Sequence, residues 1–83
     1  MKSIHFTLSE DLKVNFITFR GTDQQTISYL PTFEELLKHD ILPEVGDWIA
    51  LPELDDEPLT ITSILFTFDV SGRLCNVRVH AKF

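Results

Sequence analysis

The side chains able to do chemistry are few and scattered along the chain. Cys75 is the sole cysteine. It alternates with Val77 and Val79 in a β-rich run, which is the setting of a small core residue; a reactive thiolate needs partial exposure beside positive charge or a helix N-terminus. His5, His39 and His80 fall in three separate segments, and no pair has the i, i+4 or C-x-x-C spacing that pre-arranges metal ligands. Asp55, Asp56 and Glu57 offer adjacent oxygens without the alternating ligands and turn glycine of a calcium loop. Gly21, Gly46 and Gly72 are isolated from one another, so no glycine-rich phosphate cradle exists. No serine sits in a nucleophile-elbow motif. These patterns predict a protein that is not an enzyme and that holds no metal or cofactor.

Charge is the more informative feature. The net charge is −6, and it is unevenly placed. Residues 34–57 carry Glu34, Glu35, Asp40, Glu44, Asp47, Glu53, Asp55, Asp56 and Glu57 against Lys38 alone. Residues 70–83 hold Arg73, Arg78 and Lys82 and no acid. An acidic middle and a basic tail predict a molecule with two electrical faces, provided the fold keeps them apart.

With 83 residues, the chain is expected to form one domain spanning residues 1–83, since half that length closes a core poorly without staples. An apolar share of 43% with seven Phe is globular rather than disordered material. One cysteine permits no internal disulfide and suits a reducing compartment. Neither a signal-peptide run nor a membrane span is visible, so a soluble, cytoplasmic setting with no membrane contact is expected.

The elements that must position these residues are mostly strands. Ile4, Phe6 and Leu8 alternate with His5, Thr7 and Ser9, which predicts a half-buried strand. Ser9, Glu10 and Asp11 form a polar break, and residues 12–20 then read as a strand covered on both sides, antiparallel to the first. Residues 21–24 are turn chemistry, and residues 25–30 a third strand. Thr32 with Glu35 has the form of a capping box, and Phe33, Leu36 and Leu37 make an apolar stripe, so a helix of about two turns is predicted over residues 32–40. Pro43 blocks its continuation. A short strand over 48–51, an acidic loop over 53–58 and a hairpin of residues 59–68 with 74–83 complete the chain. In that hairpin Cys75, Val77, Val79, Ala81 and Phe83 face inward; Leu74, Asn76, Arg78, His80 and Lys82 face outward. The order β-β-β-α-β-β-β predicts a mainly β (α+β) fold: a small antiparallel β-barrel, or a strongly twisted sheet, of about six strands plugged by one short helix. The alternative is an open sheet with the helix on one face.

Residues 43–49, Pro-Glu-Val-Gly-Asp-Trp-Ile, resemble the P-x-V-G-D-x-I strand opening of short bacterial and phage β-rich proteins, an opening also found in SH3-like small barrels. The resemblance implies a small barrel and a microbial setting, and it brings no catalytic residue with it.

Two binding functions follow from the charge layout. In the first, the protein is an acidic interaction module, such as an accessory or inhibitor protein, that meets a basic surface on another protein; Asp47, Trp48, Glu53, Asp55, Asp56 and Glu57 are its candidate contacts. In the second, Arg73, Arg78, His80 and Lys82 form a basic stripe on the last strand that binds nucleic acid or a small ligand. An exposed edge strand would in addition allow a homodimer.

Overall fold

Alternating apolar residues dominate residues 8–20, 59–68 and 74–82, and these three segments form the centre of the structure. The computed structural model describes residues 2, 3 and 5–83, with side chains from residue 5 onward. The elements in chain order are β1 (Lys2–Ser3), β2 (Leu8–Arg20), β3 (Asp23–Ile27), α1 (Pro31–Lys38), β4 (Ile41–Leu42), β5 (Trp48–Ile49), a 3-10 turn (Pro52–Leu54), β6 (Leu59–Phe68) and β7 (Leu74–Lys82). Five strands make one sheet in the order β3-β2-β7-β6-β5, and β1 pairs with β4 as a separate two-stranded piece. The fold is mainly β, with one α-helix laid on one face of the sheet.

The sheet is open and mixed rather than a closed antiparallel barrel. β2 runs parallel to β7, with Phe16 opposite Val79 and Thr18 opposite Ala81. β2–β3, β7–β6 and β6–β5 are antiparallel. The expected first hairpin is absent because Ser9, Glu10 and Asp11 do not break the chain: they lie inside the 13-residue β2. Their polarity is absorbed by an irregularity in the ladder between Leu8 and Lys13, and the Ser9 hydroxyl accepts the Asp11 N–H at 3.2 Å. A bulge of this kind tolerates exposed polar residues without ending the strand. Of the predicted Ile4, Phe6 and Leu8 face, Ile4 lies outside the described residues; Phe6 and Leu8 are half-buried against the core.

One face of the sheet is apolar throughout. Val14, Phe16, Ile49, Leu59, Ile61, Val77, Val79 and Ala81 are buried there. α1 covers them with Leu30, Phe33 and Leu37, a stripe at i, i+3 and i+7 rather than the predicted Phe33, Leu36 and Leu37. The rings of Phe33 and Phe16 meet edge-on, 5.0 Å between centroids, the favoured geometry for two aromatic quadrupoles. Thr18 is the buried polar residue of this face, and its hydroxyl donates to the Gln25 carbonyl.

The helix start differs from the sequence expectation. Leu30 is the N-cap and Pro31 opens the first turn, where a missing N–H costs nothing and the fixed φ is already helical. Thr32 is therefore inside the helix and caps nothing itself. Pro52 likewise opens the 3-10 turn, which shortens the predicted strand over 48–51 to Trp48–Ile49.

β7 departs from strict alternation at its start. Thr67 faces Asn76 and Phe68 faces Leu74, so Cys75 is the extra residue of a bulge. Leu74 is consequently fully buried and Cys75 only half-buried, its thiol near the Thr67 carbonyl at 3.3 Å. Both assignments reverse the expected phase, and from Val77 to Ala81 the expected phase holds. Phe83, expected inside, lies beyond the strand end with its ring under the Arg20 guanidinium at 4.1 Å.

Candidate functional site

The face of the sheet opposite α1 carries no second layer among the described residues. Its outward side chains follow from the register. Gln24, Phe19, Lys82, Thr60 and Trp48 form one row across all five strands. Thr26, Ile17, His80 and Ser63 form the next, and Asn15, Arg78 and Leu65 the one beyond. Lys13 precedes Asn15 on the same side of β2, by strand alternation. No position in these rows is Asp or Glu.

The rows enclose a shallow depression of about 440 Å³ over Asn15, Ile17, Phe19, Arg78 and His80. Phe19 and His80 meet edge-on with centroids 5.9 Å apart. Ile17 is 9% exposed despite facing outward, because the neighbouring side chains close over it. Residues 12–20 were expected to be covered on both sides; the outer side is uncovered, with Lys13 exposed and Asn15 and Phe19 half-buried, and of its β2 residues only Ile17 is buried. Lys13, Arg78 and Lys82 take part in no ion pair among the described residues, unlike Arg20, which pairs with Glu57, and Lys38, which pairs with Glu35.

Of the predicted basic stripe, Arg78, His80 and Lys82 share this face. Arg73 does not: it sits in the β6–β7 turn, where its N–H donates to Asp69 Oδ1 at 3.0 Å. Asp69 organises that turn by also accepting the Ser71 hydroxyl and N–H, and the hydroxyl bond, followed by that of the Arg73 N–H, holds its carboxyl below the usual Asp range. Phe19, Ile17 and Lys13 were not singled out from sequence. Their alternation with Val14 and Phe16 was the available signal.

The acidic candidates divide differently. Glu53 Oε1 accepts the Thr32 hydroxyl at 2.7 Å and the Thr32 N–H at 3.1 Å, and the hydroxyl bond lowers its pKa. Glu57 Oε2 takes the Arg20 guanidinium at 2.6 Å. Asp47 Oδ2 accepts the Glu44 N–H at 2.9 Å, which lowers its pKa, and so closes the turn in which Gly46 adopts φ +94°. Asp55 and Asp56 are exposed in left-handed conformations, φ +58° and +55°. Trp48 is 79% exposed, at the end of the outer-face row and outside the core. Glu53, Glu57 and Asp47 thus have structural partners, while Asp55 and Asp56 project into solvent.

Among the described residues no group of three or more His, Cys, Asp or Glu is placed to hold a metal ion, and no helix is long and apolar enough to cross a membrane. Compared with known proteins, the chain matches no family model, no curated protein and no solved structure.

Proposed function

We propose that the protein is a non-catalytic binding module whose open sheet face takes a single strand of nucleic acid. The observation that carries this reading is the outer face itself: Arg78 and Lys82 without ion pairs among the described residues, on the same face as the rings of Phe19, His80 and Trp48, on rows free of carboxylates. Cations that have no internal partner can displace counterions from phosphates, and rings on an uncovered sheet face give bases a stacking surface. The overall negative charge opposes long-range attraction, so binding is expected to be weak and strongly salt-dependent.

A second reading rests on Asp55 and Asp56, which are exposed and contribute to no internal ion pair among the described residues. They would meet a basic surface on a protein partner, with Trp48 as a neighbouring apolar anchor.

One titration separates the two. Trp48 fluorescence is followed on addition of single-stranded DNA or RNA, and separately of a lysine-rich peptide, at low and physiological salt. Quenching by the oligonucleotide that Arg78→Glu and Lys82→Glu abolish, and that Asp55→Lys with Asp56→Lys leaves intact, supports the first reading. Binding of the basic peptide alone, lost on reversal of Asp55 and Asp56, overturns it in favour of the second. Absence of both responses at low salt overturns both.

A further inference from the structure

The two edges of the five-stranded sheet are built differently. At one edge β3 exposes Asp23, Gln24, Gln25 and Thr26, polar residues that bury little if paired. At the other edge β5 covers β6 only at Leu59 and Thr60, and the turn before β5 covers Ile61 through the Gly46 N–H to the Ile61 carbonyl at 2.8 Å and the Ile61 N–H to the Asp47 carbonyl at 3.0 Å. From residue 63 to residue 68, β6 has a backbone partner only in β7 among the described residues.

That open segment lacks the devices that protect sheet edges. Residues 59–68 contain no charge and no proline; of the two irregularities in the ladder with β7, one lies between Ile61 and Ser63, before the segment starts, and the other, between Thr67 and Phe68, puts its extra residue, Cys75, on β7. Natural edges are blunted by Lys, Pro, bulges or brevity, and an unprotected apolar edge templates another strand. Here Leu65 is 57% and Phe68 47% exposed.

We propose that residues 63–68 of β6 pair with the same residues of a second copy of this chain, antiparallel about a two-fold axis perpendicular to the sheet. A two-fold interface sets each residue near its own copy, so a charged edge would oppose like charges; an uncharged one does not. Continuity of the apolar face restricts the register. Ile64 and Phe66 point inward and Leu65 outward, so only pairings that set inward residues opposite inward residues are allowed. Two registers meet this condition near the middle of the segment, with Leu65 opposite its copy or Phe66 opposite its copy. Either makes a continuous ten-stranded sheet with both helices on one side and both open faces on the other. The inference is independent of what the open face binds.

The test is sedimentation velocity over a concentration series with the intact chain. Dimer mass that grows with concentration is expected, and Leu65→Lys with Thr67→Lys should return the chain to monomer while leaving its far-UV circular dichroism intact and its melting independent of concentration. Amide exchange gives a second readout that needs no variant: protection within residues 63–68 should rise with concentration, while β3 amides stay unchanged. A chain that remains monomeric at all concentrations overturns the proposal. So does a dimer that survives both lysines in a folded variant, or open-ended growth into polymers.

Discussion

Glu53 and Thr32 are joined by two hydrogen bonds to one carboxylate oxygen, and this contact ties the 3-10 turn to the first turn of α1. The N-cap Leu30 has no side chain to offer the free N–H groups, so a carboxylate from a distant loop does the work of a capping residue, at the positive end of the helix dipole. Glu53→Ala should destabilise the fold by about 1–2 kcal/mol, in the range of a lost cap or charged hydrogen bond. Thr32→Ala should cost less, because the backbone N–H still finds Glu53. A double-mutant cycle in urea checks the assignment: additive effects would show that the two residues do not interact.

The packing of α1 should be dominated by two side chains. Phe33→Ala is expected to lose about 3–5 kcal/mol and Leu37→Ala about 2–5 kcal/mol, since both are buried against the sheet. Leu36, only half-buried, should lose clearly less on truncation. Urea midpoints that rank Leu36 first would restore the stripe expected from sequence.

Trp48→Ala should leave stability within about 0.5 kcal/mol of the parent, as for other surface substitutions, because its side chain lies outside the core. The indole emission of the folded protein should be red-shifted, as for a solvated ring. A blue-shifted spectrum, or a variant that unfolds, would place Trp48 in the core.

Acid should weaken the fold in a defined direction. The carboxyls of Asp47, Glu53 and Asp69 are all held below their ordinary range by hydrogen bonds. At acid pH the unfolded chain therefore binds more protons than the folded one. Their stabilisation is complete above the ordinary carboxylate pKa of about 4 and is lost as pH falls through the lowered folded values. Asp69→Asn should flatten part of this slope while the β6–β7 turn persists. Urea melts between neutral pH and pH 3 measure it, and a stability independent of pH over that interval would contradict the turn geometry.

Much of this architecture was legible because burial follows period. The boundaries of β6 follow from its β-rich composition and the turn over residues 69–73, and the inward set Val77, Val79 and Ala81 from alternation. The helix is visible from Phe33 and Leu37 at i, i+4, and Pro31 accounts for its start once the chain direction into the helix is known. Three features lay beyond local pattern. The parallel pairing of β2 with β7 joins residues about sixty positions apart, and a strand's own sequence does not record its neighbour's direction. The bulge at Cys75 reverses a phase that composition cannot register. The partnership of Glu53 with Thr32 replaces a local capping box by a tertiary one, which made an acidic loop read as a free surface. In the candidate site, Arg78, His80 and Lys82 came from alternation, whereas Lys13 and Phe19 joined them only when β2 was placed beside β7.

The position of β7 between β2 and β6 has a consequence for how the chain is made. β7 follows the other described strands in the chain, yet it is the middle strand of the sheet. Until it emerges, β2 and β6 share no partner, and the apolar face that α1 must cover is split in two. The nascent chain can hold the β2–β3 hairpin and the short β5–β6 pairing, so closure of the sheet waits for β7 and proceeds through long-range contacts, a slow route in polymer terms. A ribosome-stalled chain lacking residues 74–82 would therefore be an open template with two unsatisfied strand edges.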